Sequence, residues 1–431
     1  MAQSRRSGVT RGAGSSGTRI AVRRNVRRFL AIPFLFIILL ATAVACGDDD
    51  DAPSATTAAP ATTAAPATTA APAGDASSAG DGSGADAVAL ARCISDAEAG
   101  VTAGRQEPEI VTERDPIDVS TLEGKTIWFV SPDQQIMYSA QQAAGVEEAV
   151  NRIGMNFKLF DGQSSPDRFN QGISTAVAQG ADGIILNSID PSLVPGPLAE
   201  AMAANIPVVN VMIGETGAPD EATFAYVTPD VPRIGSLMAD HVLDATACEA
   251  NVRNFTTSVY PFLVTVREGA DARMMDLCPW CTNETVELDL STLATSTGPL
   301  VGSTMQRDPD INYVIAGWDG LITFILPGLD TAGYDTPVVG SAAVDENFDL
   351  IRSGTSLQKA TVAFAPGDYV GWLQLDEMLR AMVGAEPALN AVPVKLVDAS
   401  NVGGDNSIGA LFPGLVGFED AFLSNWGSAG G

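Results

Sequence analysis

Residues 180–194 read GADGIILNSIDPSLV, and the rest of the chain is best interpreted from this stretch outward. Residues 183–186 form an uninterrupted apolar run that is too short for a helix, which is typical of a strand buried on both faces of a parallel sheet. Asn187, Ser188 and Asp190 then end the run with polar side chains. Because ligands bind at the carboxyl edge of open parallel sheets, this end of the strand predicts a binding site. In a second interpretation, Asp190 only begins or caps the next helix.

Strands and helices alternate on both sides of this stretch. The predicted strands of a first set are 126–131, 157–160, 183–187, 207–211 and 224–227, and those of a second set are 255–259, 286–290, 312–316, 337–341, 358–364 and 392–398. Helical patterns fill most of the gaps between them. Strands that alternate with helices indicate βαβ units with right-handed crossovers, so the sequence predicts two tandem α/β lobes with parallel sheets.

Polar side chains recur at the carboxyl ends of the strands in the first lobe. Gln134 and Tyr138 follow the first strand, Asp161 and Gln163 follow the second, and Asn187 ends the third. These residues are predicted to contact a ligand, although each polar one could instead cap a helix.

Residues 145–211 carry a family resemblance: GVEEAVNRIGMNFKLFDGQSSPDRFNQGISTAVAQGADGIILNSIDPSLVPGPLAEAMAANIPVVNV. This segment resembles the first lobe of type I periplasmic binding proteins, in their ribose-binding-protein-like, sugar-binding branch. The resemblance extends over about residues 122–400 and is stronger before residue 227. It implies an α/β fold of two Rossmann-like lobes with parallel sheets, joined by a three-segment hinge near residues 228–230, 365–367 and 395–398. A ligand would lie between lobes that close around it.

The resemblance and the composition together divide the chain into six parts. The expected parts are a lipoprotein signal peptide (1–45), a Thr/Ala/Pro-rich tether (46–86), an N-terminal extension (87–120), an N-terminal lobe (121–229 plus 366–395), a C-terminal lobe (230–365 plus 396–412) and a C-terminal tail (413–431). The extension is expected to lie against one lobe, with Cys93 in a disulfide bond as one option.

Some positions of the sugar-binding site match the family. The resemblance assigns ligand contacts to Asp190, after the third strand, and to Arg267 in the segment VTVREGADA, and it places Thr265 where the ribose binders have another Arg. Near the start of the first helix, one aromatic residue, Tyr138, stands where the family has two.

Other positions depart from the family. Trp318 and Asp319 replace an Asn-Asp pair, Ala342 replaces an Asp, and Phe364 replaces a hinge Gln. These changes remove hydrogen-bonding groups that a sugar ring needs and add aromatic surface, which favours a less polar ligand, a flat ring or a cation near Asp190 and Asp319. Alternatively, Trp318 and Phe364 pack between the lobes, or the alignment is shifted by one residue.

The N-terminus has the order of an export signal. Residues 1–28 contain eight Arg and no acidic residue, and the apolar run FLAIPFLFIILLATAVA follows at residues 29–45. The segment Ala43-Val44-Ala45-Cys46 resembles a bacterial lipobox, which would make Cys46 the lipidated residue and anchor the protein on the extracytoplasmic face of the membrane. An uncleaved anchor helix is the alternative. Three TTAAPA copies in residues 56–73 then predict an extended tether that cannot form a core.

The net charge limits the classes of partner, and the cysteine content indicates disulfide bonds. The formal net charge is -28, which disfavours nucleic-acid partners. Cys93, Cys248, Cys278 and Cys281 predict up to two disulfides in an exported protein, with the pairing open. A redox-active CxxC and an all-cysteine zinc site are weaker interpretations of the same residues.

No catalytic signature stands out. HExxH, GxSxG and spaced Cys/His ligand sets are absent from the sequence, and His241, the only histidine, is expected on a helix surface or at its last turn. The sequence therefore predicts a binding protein without metal or cofactor. By analogy with the family, it would be the solute receptor of an ABC importer that hands a small molecule to a permease. The alternative is a sensory module that signals to a membrane kinase or chemoreceptor.

Overall fold

A computed structural model describes residues 82–110, 115–213 and 221–427 of the chain. The predicted signal peptide, Cys46 and most of the tether lie outside these residues. Within the described ranges, no helix combines the length and the apolar character that a membrane span requires. The first element is helix α1, Gly82–Gly104, which begins inside the range that the sequence assigns to the tether.

The first lobe is built on a five-stranded parallel sheet with the strand order β2-β1-β3-β4-β5. Its strands are β1 Thr126–Ser131, β2 Asn156–Asp161, β3 Gly183–Asn187, β4 Val208–Val211 and β5 Ala225–Val227. Its helices between these strands are α2 Met137–Arg152, α3 Pro166–Ala178 and α4 Pro195–Ala203. Strand β3 is central and every one of its residues is buried, as the uninterrupted apolar run predicts.

The second lobe is built on a six-stranded sheet with the order β11-β10-β9-β8-β6-β7. Its strands are β6 Asn251–Thr256, β7 Thr282–Glu287, β8 Tyr313–Ala316, β9 Val338–Ser341, β10 Gln358–Phe364 and β11 Val394–Asp398. The remaining helices up to β11 are α5 Val231–Ala245, α6 Pro261–Leu277, α7 Leu293–Arg307, α8 Ile322–Ala332, α9 Asp345–Ser353 and α10 Gly367–Val383. Only β11 runs antiparallel to its neighbour, β10. The fold is thus two α/β lobes with predominantly parallel sheets, as predicted.

Two predicted strands of the second lobe are displaced. The sequence places strands at residues 255–259 and 286–290, whereas β6 and β7 each begin four residues earlier. The polar start of β6 is accommodated because the buried guanidinium of Arg253 is paired with Asp308 at 2.6 Å. Strand β7 is at the edge of the sheet, where polar side chains reach water. Apolar runs alone therefore predicted the wrong boundaries for both strands.

Helix α10 returns to the first lobe and packs closely against α2. A Cβ atom added to Gly145 would lie 2.3 Å from the carbonyl oxygen of Asp368, and one added to Gly371 would lie 2.5 Å from that of Gln142. Glycine is required at both positions because the two helix backbones approach so closely.

The segments that connect the lobes are hydrogen-bonded to one another. Val392 N–H donates to the Thr228 carbonyl at 3.1 Å, and Ala365 N–H donates to the Pro393 carbonyl at 2.8 Å. The third crossing was predicted at residues 395–398, which is wrong, because those residues pair with β10 inside the second sheet. The chain crosses just upstream, between the end of α10 and the start of β11.

The helical part of the N-terminal extension packs on the second lobe, whereas Ile117 and Val119 near its end lie in the core of the first lobe. Helix α1 lies against α5, and a disulfide joins Cys93 to Cys248. The second disulfide closes the CxxC segment between Cys278 and Cys281. Downstream of α1, Arg105 forms an ion pair with Asp398 of β11. The prediction of two disulfides is confirmed, and the structure supplies the pairing that the sequence left open.

The C-terminal residues pack against the first lobe. Helix α12, Phe418–Asn425, lies in the range that the sequence sets apart as a tail. Helix α11, Ile408–Leu411, lies in the range assigned to the C-terminal lobe, and that assignment is wrong, because Leu411 packs in the core of the first lobe. Trp426 is fully buried and stacks on Trp372 of α10, with ring centroids 5.4 Å apart and planes 8° from parallel. The Trp426 indole N–H also donates to Asp376 at 2.7 Å. This segment is therefore part of the core of the first lobe.

His241 does not lie on a helix surface, so that prediction is wrong. It is buried on α5, because α1, α6 and the sheet cover this helix on several sides. Its Nε2 atom is 2.9 Å from the hydroxyl of Tyr313. Burial lowers the pKa of His241 to about 4, so the imidazole is neutral at pH 7.

Candidate functional site

The carboxyl edges of the two sheets meet at three aromatic rings. Tyr138, at the start of α2, donates a hydrogen bond of 2.8 Å to the carbonyl of Ala365 beside β10. The Phe364 ring lies 6.2 Å from the ring of Tyr138 and 6.2 Å from that of Phe262 at the start of α6. We call Tyr138, Phe262 and Phe364 the three-ring cluster. Burial, together with the charge of Asp368, raises the pKa of Tyr138, so its hydroxyl stays a donor at physiological pH.

Backbone strain gathers at the same edges. Non-glycine residues with positive φ follow the carboxyl ends of four strands: Gln163 (48°) and Ser164 (54°) after β2, Ser188 (52°) after β3, Met212 (59°) after β4 and Ala342 (60°) after β9. Left-handed backbone at such residues costs energy and is concentrated at functional sites. The strain therefore points to these edges as the functional region.

Gln134, Asp161 and Gln163 come together where β1 and β2 end. The Asp161 carboxylate accepts hydrogen bonds from the backbone N–H groups of Gln134 and Gln163, each at 3.1 Å. The side-chain Nε2 of Gln134 is buried and has no hydrogen-bond partner among the described residues. The Gln163 side chain is exposed. Asp161 thus orders both loops, and an amide donor is left unpaired beside it.

Asn187 and Asp190, at the end of β3, have different surroundings. Asn187 is fully buried, accepts from Ser139 Oγ at 3.1 Å and donates to Gln142 Oε1 at 2.6 Å, so its side chain bonds to α2. Asp190 accepts from Ser192 N–H at 2.8 Å and remains partly exposed. The capping interaction considered for Asp190 is therefore present, and its carboxylate still borders solvent.

Thr265 and Arg267 both bond within α6. The Thr265 hydroxyl donates to the Pro261 carbonyl at 3.2 Å. Arg267 donates to Asp271 at 2.5 Å, and Asp271 in turn accepts from Asn283 near the start of β7. The guanidinium is thus directed along the helix, away from the carboxyl edge of the sheet.

Trp318 and Asp319 follow β8 and are oriented differently. Trp318 is half-buried and packs against the apolar core of the second lobe. Asp319 is 1% exposed and accepts a hydrogen bond of 2.6 Å from Thr361. Burial raises the pKa of Asp319 to about 8, and the hydrogen bond from Thr361 offsets only part of this effect. Its carboxyl group is therefore held inside the lobe.

Several residues at these edges were not among the predicted ones. Phe262 completes the three-ring cluster, Tyr260 is exposed beside it, and Thr256 ends β6. The displaced prediction of β6 explains the omission, since a strand at 255–259 puts Thr256 in its interior. A search for aromatic residues just before a predicted helix would have found Tyr260 and Phe262.

A metal centre finds no support in the described part of the chain. No group of three or more His, Cys, Asp or Glu side chains is arranged there to hold a metal ion. The site consists instead of aromatic rings, amides and carboxylates at the facing edges of two sheets. Such an arrangement binds by shape and hydrogen bonding.

Comparison with known proteins identifies the class. Residues 127–386 match the sequence profile of the periplasmic binding protein domain. The ribose import binding protein RbsB of Bacillus subtilis is 24% identical over 230 residues, which cover 52% of this chain and 70% of RbsB.

Solved structures show the same fold. The 5-methylthioribose transporter solute binding protein of Thermotoga lettingae superposes with a TM-score of 0.59 at 17% identity, over 72% of this chain and 99% of its own. The periplasmic ribose ABC transporter protein of Conexibacter woesei has a TM-score of 0.57 at 21% identity, over 65% of this chain and 94% of its own.

The profile match spans more than half of the chain, and the fold agrees with it. The chain therefore belongs to the periplasmic binding protein family, in the type I, sugar-binding branch that contains the ribose import binding protein. Members of this family are extracytoplasmic solute-binding transport proteins rather than enzymes.

Proposed function

We propose that this chain is the solute receptor of an ABC importer and is held at the extracytoplasmic face of the membrane by a lipid on Cys46. It binds a small sugar-like or less polar, aromatic solute between its two lobes and delivers it to a membrane permease. No catalytic step is part of this function. The proposed domain boundaries are those set out from the sequence, with the third crossing moved upstream of β11 and the segment from α11 to α12 assigned to the first lobe.

The meeting of the two carboxyl edges at the three-ring cluster carries this proposal. Tyr138 of the first lobe contacts Phe364 at the crossing, and Phe262 of the second lobe contacts the same ring. A solute between the lobes would lie against aromatic surface at this cluster. Where β1 and β2 end, a hydrogen-bond acceptor on the solute would satisfy the unpaired amide of Gln134.

A thermal-shift screen of the purified full chain tests solute binding. The panel comprises sugars, polyols, nucleosides, amino acids, quaternary amines and aromatic acids. A solute at a hundred times its dissociation constant should stabilise the protein by about 2.7 kcal/mol. Phe364→Ala, which removes the central ring of the three-ring cluster, should abolish the shift. The control Trp280→Ala should retain it, because Trp280 lies in the CxxC segment at the other end of α6. A panel without any shift would contradict the proposal.

Uptake in living cells separates transport from sensing. Cells that lack the chain should lose uptake of the identified solute, and the full chain should restore it. The Cys46→Ala variant should be released from the membrane fraction and restore less uptake. Normal uptake together with a lost transcriptional or chemotactic response would identify the sensory module instead.

A further inference from the structure

Each lobe places apolar residues at the same topological position. Ile136 precedes α2 and Met137 begins it, just before Tyr138. In the second lobe, Val259 and Tyr260 precede α6, just before Phe262. The preceding strands, β1 and β6, are each second from the outer edge of their sheet, with β2 and β7 outside them. The two segments are therefore counterparts at the facing edges of the lobes.

Within each of these segments, the last residue differs in its contacts from the two apolar residues named before it. Tyr138 and Phe262 pack on Phe364 in the three-ring cluster. The earlier residues remain exposed to solvent, with exposed fractions of 50% for Ile136, 55% for Met137, 64% for Val259 and 51% for Tyr260. We call these four the rim residues. Exposed apolar side chains grouped at one place mark a binding surface.

The charged groups near the rim residues are bonded within their own lobes. Asp133 accepts from Gln135 N–H and from Ser164 Oγ, each at 2.8 Å. Glu287 accepts from the Ser258 hydroxyl at 2.8 Å. The rim therefore presents apolar surface, and its acidic neighbours are used to order the loops.

Polar groups lie on a different part of the edge. Gln163 and Ser188 are exposed just past the ends of β2 and β3, and Asp190 is partly exposed nearby. In the second lobe, by contrast, the residues after β8 and β9 include half-buried Trp318 and exposed Val344, and Asp319 is enclosed. The exposed polar groups directly after β2 and β3 thus belong to the first lobe, while Asp345 and Glu346 at the start of α9 add exposed carboxylates to the second lobe.

We propose that the solute is amphipathic, with a hydroxylated part that contacts Gln163, Ser188 and Asp190 and an apolar or aromatic part held between the rim residues. This inference rests on the proposed function and narrows its solute class. A free sugar has hydroxyls on most of its edge and would leave the rim residues in contact with water or with polar groups. A sugar that carries an aryl or alkyl substituent matches both surfaces.

Matched ligand pairs test this by titration calorimetry on the full chain. Phenyl β-D-glucopyranoside is compared with its methyl analogue, and 5-methylthioribose with ribose. In at least one pair the more apolar member should bind about tenfold or more tightly, because the rim buries its substituent. The double variant Met137→Ser/Tyr260→Ser should reduce that preference to about twofold and leave the affinity for the more polar member unchanged.

A control and three contrary outcomes complete the test. Trp280→Ser removes an aromatic residue that is 46% exposed away from the rim, and it should keep the full preference. Equal affinity within both pairs would overturn the inference and leave the proposed function standing. An equal loss of affinity for both members of a pair in the double variant would also overturn the inference. The rim residues would then contact one another when the lobes close and would not contact the solute. Binding of none of the four compounds would also overturn the inference, whereas the proposed function fails only if the wider thermal-shift panel gives no shift.

Discussion

Asp319 shows how a single buried carboxyl links the fold to pH. Its environment raises its pKa to about 8 from a reference value of 3.8, with burial as the main cause. The native protein therefore holds a proton that the unfolded chain releases above pH 4. The contribution of Asp319 to stability is complete below that pH and is lost as the pH rises toward 8.

The variant Asp319→Asn should remove this pH dependence. The amide mimics the protonated acid and can still accept from Thr361, so the variant should match the unaltered protein near pH 4 and become progressively more stable than it up to pH 8. Urea unfolding at several pH values measures this difference. Thr361→Val removes a donor to the carboxylate and should move the sensitive range to higher pH. A stability difference that is independent of pH would contradict the assignment.

At the scale of elements, the C-terminal segment with helix α12 is anchored by one aromatic stack. Trp426 covers Trp372 of α10 and donates to Asp376, so its removal creates a cavity and takes away a partner of a buried carboxylate. Trp426→Ala should lower the free energy of unfolding by about 3 to 5 kcal/mol, as measured in urea. Val416→Ala, at an exposed site of the same segment, should change it by less than about 0.5 kcal/mol. Equal effects of the two changes would show that the segment is not packed as described.

At the scale of the whole molecule, the Cys93–Cys248 disulfide joins two distant parts of the chain. It spans 155 residues in sequence and fixes α1 to α5, whereas the Cys278–Cys281 disulfide spans only 3. Because a cross-link that closes a long loop restricts the unfolded chain more, Cys93→Ser/Cys248→Ser should cost about 2 to 5 kcal/mol. Cys278→Ser/Cys281→Ser serves as the matched control and should cost clearly less.

Hydrogen exchange would measure which helices the Cys93–Cys248 disulfide stabilises. Without it, amides of α1 and α5 should exchange faster, while those of α2 and α10 in the first lobe should keep their protection. The expected pattern follows from the contacts of α1, which are made with α5, α6 and β11 of the second lobe. Faster exchange throughout both lobes would instead show that α1 supports the entire molecule.

Much of the architecture could be predicted because local sequence and burial agree. Strand β3 was located to the residue, since both of its faces are buried and its apolar run has no competing interpretation. The same reasoning failed for β6 and β7, where Arg253 is buried with a partner from a distant loop and where an edge strand carries polar side chains. Patterns of apolar residues do not encode such pairings.

The candidate site was less predictable than the fold. Tyr138 and Phe364 were expected near a ligand and do meet at the crossing between the lobes. Arg267 was expected there as well, and its pairing with Asp271 became visible only once α6 and β7 were placed. A side chain's identity limits what it can bind, but its direction depends on partners that are distant in sequence.

The sequence by itself determined the two α/β lobes and the general location of the edge where their polar and aromatic residues gather, because periodicity and turn chemistry are local properties. Only the tertiary structure decided that Cys93 pairs with Cys248, that His241 and Asp319 are enclosed, and that Trp426 completes the first core. Each of these depends on contacts between segments far apart in the chain. Burial and pairing arise when those segments pack, so the local sequence does not contain them.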